Sequence, residues 1–335
     1  MFPQLDISKV TTQTIAERTS KVGLGDLAHP FDPATGGFDA FIDSLPRILK
    51  ADDLREIAAT IVRARRSGSP VVVMIGAHVV KTGLAPVLID LMERGYVQAL
   101  AMNSAAAIHD SESALFGVTS EDVAMNLRDG SFGMWRETGT FINGTLLRAF
   151  RGEASAAGPP GGEATLAEPI GYGEALGRAL IAGQAPHLDV SLLAAGVRLG
   201  IPVTVHAAIG TDIVHQQPSM DGAATGEMSF RDFKVLAHVV RALDPGSAVL
   251  NIGSAVILPE IFLKVLTVVR NLGFEAAGFL SANFDMLQHY RPNMNVVHRP
   301  TQGGGRGFTI TGHHEIMVPL LAAMIKLYDS QLENQ

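Results

Sequence analysis

The chain of 335 residues contains no cysteine, and its charged and aromatic side chains are few, at 18% and 6%. The absence of cysteine excludes disulfides and thiolate metal sites and fits a reducing compartment. The net charge of −7, without any basic run, argues against a nucleic-acid surface. No apolar run reaches the roughly 18 residues of a membrane span, and residues 1–30 lack the apolar core of a signal peptide. These absences predict a cytoplasmic protein that binds neither nucleic acid nor membrane.

The chain is rich in alternating strand and helix patterns. The apolar run Val71–Ile75 ends at Gly76 and precedes a helical pattern, which is typical of the first half of a βα unit. Further strands are predicted near residues 97–102, 201–205, 248–252, 276–280 and 308–310. This alternation predicts an α/β fold, a Rossmann-like parallel sheet with helices on both faces. We expect an irregular N-terminal segment, residues 1–36, then a single nucleotide-binding domain, residues 37–335, with a flexible loop at residues 152–168.

Polar residues cluster where the predicted strands end, and the carboxyl ends of parallel strands meet at one edge of a sheet. They are His78, Lys81, Asn103, Ser104, His109, Asp110, His206, Thr211, Asp212, His215, Asn251, Ser254, Ser281, Asn283, Asp285, His313, His314 and Glu315. We therefore expect one crevice there. Lys81 is interpreted either as a phosphate contact or as a solvated lysine. His109 and Asp110 are interpreted either as an acid–base pair or as a helix-capping aspartate beside an incidental histidine.

Two groups of histidines allow an interpretation as metal sites: His206 with Asp212 and His215, and His313 with His314 and Glu315. Their spacings match no metal signature, so hydrogen bonding to the hydroxyl or phosphate groups of a ligand is favoured and no metal is expected. The predicted loop at residues 282–306 carries three arginines that serve either as partners of an anion or as solvated charges, namely Arg291, Arg299 and Arg306.

Five short segments, in a shared order and spacing, resemble the deoxyhypusine synthase family from about residue 70 to residue 325. They are residues 76–83, residues 104–110 with the helix that follows, residues 201–203 with the loop to His215, residues 252–257, and residues 281–283 ahead of residues 311–314 and 319–321. The resemblance implies a Rossmann-like sheet that binds NAD in a homotetramer, a dimer of dimers with sites between subunits. It also implies that spermidine is oxidised, that an aminobutyl group passes through a lysine imine, and that the product is reduced.

The resemblance also implies roles for residues by position. The cofactor contacts it implies are Ala77, His78, Val79, Lys81, Ser104, Ala105, Ala106, Gly210, Thr211, Ser281, Ala282 and His313, and on the substrate side it implies His109, His215 and Glu260. We add Gly253 and Ser254 to the cofactor set, and Asp285 and His314 to the substrate set, because they follow strands at the same edge. His109, oriented by Asp110, is the candidate acid–base group, and Asp212 with His215 is expected to orient the substrate.

Two departures from the family shape the functional prediction. Leu258 stands where the family has its imine-forming lysine, and leucine cannot form an imine. His109 and His215 stand where the family has carboxylates that hold a polyamine, which favours a neutral or anionic substrate. The sequence therefore predicts an NAD-dependent oxidoreductase or transferase that is not a true deoxyhypusine synthase and performs hydride chemistry on a small non-polyamine substrate. A hydrolase or lyase using a His/Asp cluster, with or without a metal, and a non-catalytic nucleotide-binding protein remain alternatives.

Overall fold

Six parallel strands form one sheet in a computed structural model that describes residues 2–153 and 169–333. The strands are β1 Val71–Ile75, β2 Ala99–Asn103, β3 Val203–His206, β4 Ala248–Ile252, β5 Leu280–Asp285 and β6 Arg306–Thr311. They pair in the order β3-β2-β1-β4-β5-β6, which is the order of the doubly wound dinucleotide-binding fold. The predicted α/β Rossmann-like class is confirmed, and the strand order reverses between β1 and β4.

Helices surround the sheet. They are α1 Phe38–Ser44, α2 Leu49–Ser67, α3 Ala77–Lys81, α4 Ala85–Glu93, α5 Ser104–Phe116, α6 Val123–Asn126, α7 Arg136–Phe150, α8 Tyr172–Ala182, α9 Leu192–Leu199, α10 Gly222–Val240, α11 Ile257–Asn271, α12 Tyr290–Pro292, α13 Arg299–Thr301 and α14 His314–Glu333. A π-helical stretch, Asn293–His298, joins α12 to α13. Within the described part of the chain, no helix combines the length and the apolarity that crossing a bilayer requires.

The centre of the sheet explains the continuous apolar runs in the sequence. Every residue of β1 and of β4 is buried, because helices cover the sheet on both faces. The two strands pair in register from Val71 with Ala248 to Ile75 with Ile252. On one face, α10 and α11 pack into a core cluster in which the rings of Phe262 and Phe279 meet edge to face, with centroids 6.2 Å apart. This core fixes the ends of β1 and β4 relative to each other.

Contacts divide the chain into two units, Met1–Asp52 and Asp53–Gln335. The first unit contains α1 and short 3₁₀ turns, and the rings of Phe31 and Phe41 meet there at 5.5 Å. The second unit contains the sheet. The predicted domain boundaries stay predictions, and the loop predicted at residues 152–168 lies, apart from residues 152 and 153, outside the described residues.

Two predicted elements were misplaced. The small and polar residues 103–110 after the second predicted strand are typical of a turn, but α5 begins at Ser104 because the Asn103 side chain caps it, accepting the Ala106 N–H at 3.0 Å. The fifth strand was predicted at residues 276–280 and instead runs from Leu280 to Asp285.

Candidate functional site

A cavity of about 590 Å³ lies beyond the carboxyl ends of β2 and β3. Its walls come from one face of α5, the loop after it, the start of α7, the loop after β3, and the end of α3. This volume is in the range of small-molecule sites. Five of the predicted site residues line it, namely Lys81, Ala105, His109, Thr211 and Asp212.

His109 is held by a chain of hydrogen bonds. Its Nδ1 lies 2.6 Å from Thr119 Oγ1, and the Thr119 hydroxyl donates to Glu112 Oε2 at 2.6 Å. The Thr138 hydroxyl donates to Glu112 Oε1 at 2.9 Å. Burial lowers the pKa of His109, and the Glu112 charge opposes that effect. The imidazole is therefore neutral at pH 7 and lines the cavity.

Sequence reasoning missed Glu112, Thr119 and Thr138. A signal for Glu112 was present, because residues three apart on a helix share a face and His109 precedes it by three. Thr119 reaches the pair because α5 ends at Gly117, whose φ of 70° turns the chain back. No local pattern marks Thr138, which arrives from α7.

Asp110 does not orient His109, so that prediction is corrected. Its carboxylate is fully buried and accepts the Ser191 hydroxyl at 2.6 Å and the Leu192 N–H at 2.7 Å, at the start of α9. Burial raises the pKa of Asp110 to about 6, and these hydrogen bonds oppose the rise. Successive helical residues point in different directions, so Asp110 anchors α9 while His109 faces the cavity.

Asp212 and His215 shape the loop after β3. The Ser104 hydroxyl donates to the Asp212 carboxylate. His215 Nδ1 accepts the N–H groups of Gly210 at 3.2 Å and of Asp212 at 3.3 Å, and burial lowers the pKa of His215 while Asp212 opposes that. Gly210 adopts a φ of 98°, which favours glycine. The His215 side chain is 3% exposed and holds this loop through the two N–H groups that it accepts. The expectation that it orients the substrate stays a prediction.

Two glutamines join the loop after β3 to the opposite rim of the cavity. Gln217 Nε2 donates to the carbonyl groups of Gly133 at 2.9 Å and Trp135 at 3.0 Å. Gln216 Nε2 donates to the Phe132 carbonyl at 2.7 Å. The loop before α7 and the loop after β3 are thereby fastened to each other.

The walls of the cavity are acidic and aromatic. Its carboxylates are Glu112, Glu121, Glu137 and Asp212, its ammonium group is that of Lys81, and its aromatic rings are Phe116, Phe132 and Trp135. The sequence favours a neutral or anionic substrate, and an acidic wall, which repels an anion, does not favour the anionic one.

The second group of predicted residues lies at the switch point between β1 and β4. The His314 side chain is 2% exposed, and Nε2 lies 3.9 Å from Asp285 Oδ1. Among the residues that the structure describes, neither ring nitrogen has a hydrogen-bond partner. Its ring meets that of His78 edge to face at 5.7 Å. Burial lowers the pKa of His314, and Asp285 opposes that. Gly253, with a φ of 68°, lies against the His314 ring. Four predicted residues, His78, Gly253, Asp285 and His314, therefore converge here.

The other predicted site residues lie outside the lining of the cavity, and their cofactor and substrate roles stay predictions. Val79, Ala106, Ser281 and Ala282 have no exposed surface. Hydroxyl groups and carboxylates elsewhere are engaged: Ser281 donates to the Val296 carbonyl at 2.7 Å, Ser254 Oγ accepts the Leu258 N–H at 3.2 Å, and Glu260 contacts Lys264, Arg291 and Asn295. The His313 side chain is 63% exposed, and Ala77 is half-buried at the start of α3.

In the described part of the chain, neither of the two histidine groups forms a metal site. His206 is fully buried in β3, with Nε2 at 3.0 Å from Thr204 Oγ1, and burial lowers its pKa to about 3. Over residues 2–153 and 169–333, no three His, Asp or Glu side chains are arranged to hold a metal ion. The arginines are engaged with protein groups: Arg291 with Glu260 at 3.4 Å, Arg299 with Asn295 at 2.6 Å and Arg306 with Glu56 at 2.6 Å.

Comparison with known proteins gives partial matches. A family model described as the C-terminal Rossmann fold of arginine dihydrolase ArgZ-like proteins matches residues 55–137. An ornithine cyclodeaminase of Methanothermobacter thermautotrophicus is 32% identical over 66 residues, a match that spans 20% of this chain and 16% of that relative. The aligned stretch is thus a small part of the relative's own length.

Solved structures share the fold over most of the chain. A putative LOR/SDH protein of Methanococcus maripaludis S2 is 16% identical with a TM-score of 0.52, over 84% of this chain and 71% of that one. AgrE, in a ternary complex with ornithine and NAD⁺, is 17% identical with a TM-score of 0.51, over 83% and 33%. A putative deoxyhypusine synthase of Entamoeba histolytica is 12% identical with a TM-score of 0.51, over 89% and 95%.

At these identities the likeness establishes the Rossmann-like fold alone. A putative deoxyhypusine synthase is among the neighbours, and AgrE and the putative LOR/SDH protein are as similar. The Rossmann-like fold is therefore shown, whereas the resemblance to the deoxyhypusine synthase family in particular is not confirmed.

Proposed function

We propose that this chain is an NAD-dependent enzyme that performs hydride chemistry on a small, amine-bearing substrate without a lysine imine. The observation that carries the proposal is the position of His109, a neutral imidazole in an acidic cavity at the same sheet edge as the switch point. AgrE, which shares the fold, is described with NAD⁺ and ornithine, the same two ligand classes.

The cofactor assignment is supported by the crevice between β1 and β4, where doubly wound sheets bind dinucleotides. The buried His314 ring there has two nitrogens without partners, and a buried polar group of this kind is stabilised by a ligand's hydrogen bonds. Lys81, which is exposed, links this crevice to the cavity. His78, Lys81 and His314 are the side chains that we propose hold the dinucleotide.

The substrate class follows from which carboxylates are free. Glu112 accepts from two threonines, Glu121 accepts the Gly133 N–H at 2.9 Å, and Asp212 accepts from Ser104. Glu137 is 62% exposed, and its contact with Arg136 is 3.6 Å long. One largely free carboxylate suits one ammonium group, which supports a small amine rather than a polyamine. Leu258 is fully buried, so the position of the family's imine lysine lies in the core.

Each residue has a chemical task in this proposal. Glu137 binds the ammonium group, and Trp135 packs against the substrate's carbon atoms or cation. His109 Nε2 accepts the proton that leaves the amine or hydroxyl group as the adjacent carbon is oxidised. NAD, when bound, supplies the acceptor for the hydride. The aromatic rim keeps water from the reacting carbon.

The single tryptophan of the chain makes the cavity directly observable. Trp135 lines it and is 42% exposed, so its emission should change saturably when a ligand enters. We would titrate the protein with basic amino acids, monoamines, diamines and 2-hydroxy acids, with NAD present, and follow NADH absorbance in parallel. Amines should bind and be oxidised, and His109→Gln should lose turnover but keep binding.

A charge-matched pair of variants tests the acidic wall. Glu137→Gln should weaken amine binding about fivefold, the equivalent of about 1 kcal/mol for one charge near the surface. Glu93→Gln, the same change at an exposed residue that ends α4 outside the cavity lining, should have no effect. If calorimetry detects no NAD binding and NAD produces no thermal shift, the proposed function fails.

A further inference from the structure

The hydrogen bonds around His109 have a fixed direction. Ionised Glu112 is an acceptor only, so both threonine hydroxyls that reach it must donate. A hydroxyl carries one proton, and that of Thr119 is committed to Glu112 Oε2. Thr119 Oγ1 can then only accept from His109 Nδ1, 2.6 Å away. The proton of the neutral imidazole therefore lies on Nδ1.

The ring nitrogen that remains is the one that matters for chemistry. An imidazole with its proton on Nδ1 leaves the lone pair of Nε2 free to accept a proton. Without a fixed partner, either nitrogen of a neutral histidine can carry the proton. A base whose tautomer is fixed in advance needs no rearrangement before it acts.

Three separate elements build this arrangement. His109 and Glu112 come from α5, Thr119 comes from the loop beyond Gly117, and Thr138 comes from α7. Glu112 uses both carboxylate oxygens, one for each threonine. The bond from Thr138 holds the carboxylate in place. The bond from Thr119 to that carboxylate fixes the orientation of the Thr119 hydroxyl toward His109.

We propose that Glu112 is a positioning residue that acts through Thr119 to hold His109 as the Nδ1–H tautomer, with Nε2 as the proton acceptor. The catalytic meaning of this arrangement rests on the proposed function, but the tautomer itself does not. Glu112 and Thr119 thus orient His109, the role that the sequence analysis assigned to Asp110.

Nitrogen NMR of the protein labelled with ¹⁵N-histidine reads the tautomer directly, because protonated and unprotonated ring nitrogens have different chemical shifts. His109 is assigned by the signals that disappear in His109→Asn. In the wild-type protein at neutral pH, Nδ1 should have the shift of a protonated nitrogen and Nε2 that of an unprotonated one. The opposite assignment in the wild type would overturn the proposal.

Variants separate the positioning role from a merely structural one. Thr119→Val removes the acceptor and should lose the pattern, whereas Thr119→Ser keeps the hydroxyl and should retain it. Glu112→Ala removes both acceptor oxygens and frees the Thr119 proton to be donated to His109 Nδ1, so the tautomer should shift toward Nε2–H. Thr138→Val leaves the bond from Thr119 to Glu112 intact and should keep the wild-type pattern.

The remaining histidine signals report whether each variant is folded. A folded Thr119→Val protein whose His109 shifts match those of the wild type would refute the proposal. If the shifts behave as expected and no NAD binding is found, the proposed function fails while the positioning role stands. If NAD and an amine react but the His109 shifts of a folded Glu112→Ala protein are unchanged, the positioning role fails alone.

Discussion

Gly76→Ala probes the point where the two central strands leave the sheet. A Cβ built on Gly76 lies 2.0 Å from the carbonyl oxygen of Gly253, where ordinary contact begins at 3.4 Å. The atom it meets belongs to the backbone, so no side-chain rotation relieves the clash. The two turns must instead separate by more than 1 Å.

Hydrogen bonds on both sides resist that separation. The Gly76 N–H donates to the Ile252 carbonyl at 2.9 Å, and the Gly253 N–H donates to the Phe284 carbonyl at 2.9 Å. Overpacking of a core costs about 1–3 kcal/mol, and each buried backbone group left without a partner costs about 1–3 kcal/mol. With one overpacked contact and one N–H group left without its partner, we expect Gly76→Ala to lower the free energy of unfolding by about 2–6 kcal/mol, a large part of the stability of a typical domain.

Urea unfolding, followed by circular dichroism, measures this loss. The matched control is Gly226→Ala in α10, where the added Cβ meets nothing within 4 Å and the better helix propensity should raise stability by about 1 kcal/mol. If Gly76→Ala unfolds within about 1 kcal/mol of the wild type, the close backbone crossing between the two turns is refuted.

Substitutions at three further residues test other buried groups. Burial lowers the pKa of His206 from 6.5 to about 3, so only the unfolded chain takes up this proton as the pH falls from 7 to 5. The free energy of unfolding of the wild type should therefore fall by about 2 kcal/mol over that range through His206. Urea unfolding of His206→Gln at the two pH values should lack this part of the pH dependence. Asp110→Ala leaves the Ser191 hydroxyl without its acceptor and should cost about 2 kcal/mol, whereas Asp110→Asn should cost less and leave turnover intact; lost turnover in folded Asp110→Asn would restore its catalytic role. Asp329→Ala breaks the contacts of this carboxylate with Arg65 at 2.7 Å and Tyr96 at 2.6 Å. It should lower the free energy of unfolding by about 2 kcal/mol, a value kept small because the arginine is partly exposed. The thermal midpoint should fall accordingly, and an unchanged midpoint would contradict this.

The fold class could be predicted because the local sequence of its central strands is enough to identify them. Strands β1 and β4 are buried on both faces and read as continuous apolar runs. Strand β5 could not be placed because its buried residues Ser281 and Asn283 look like a turn. Asn283 is tolerated there because it accepts from Asn251 at 2.7 Å and donates to Gln288 at 2.8 Å. Those partners are set by tertiary structure, which no local pattern reveals.

The candidate site was predictable to the extent that it depends on strand ends. His109 and Asp212 line the cavity because each lies close behind a strand that ends at the same edge. The role of Asp110 could not be predicted, since its partner Ser191 lies 81 residues further along the chain. Likewise, nothing in the sequence around Thr138 indicates that α7 would bring it to Glu112.

The glutamine bonds between the rims of the cavity have a consequence for selectivity. Gln216 and Gln217 hold the segment from Phe132 to Trp135 through hydrogen bonds. The entrance of the cavity therefore has its shape before a ligand binds, and binding costs little further conformational entropy in this segment. Selectivity then depends on whether a molecule fits a rigid entrance, and a substitution at either glutamine should broaden the range of ligands that bind to the cavity.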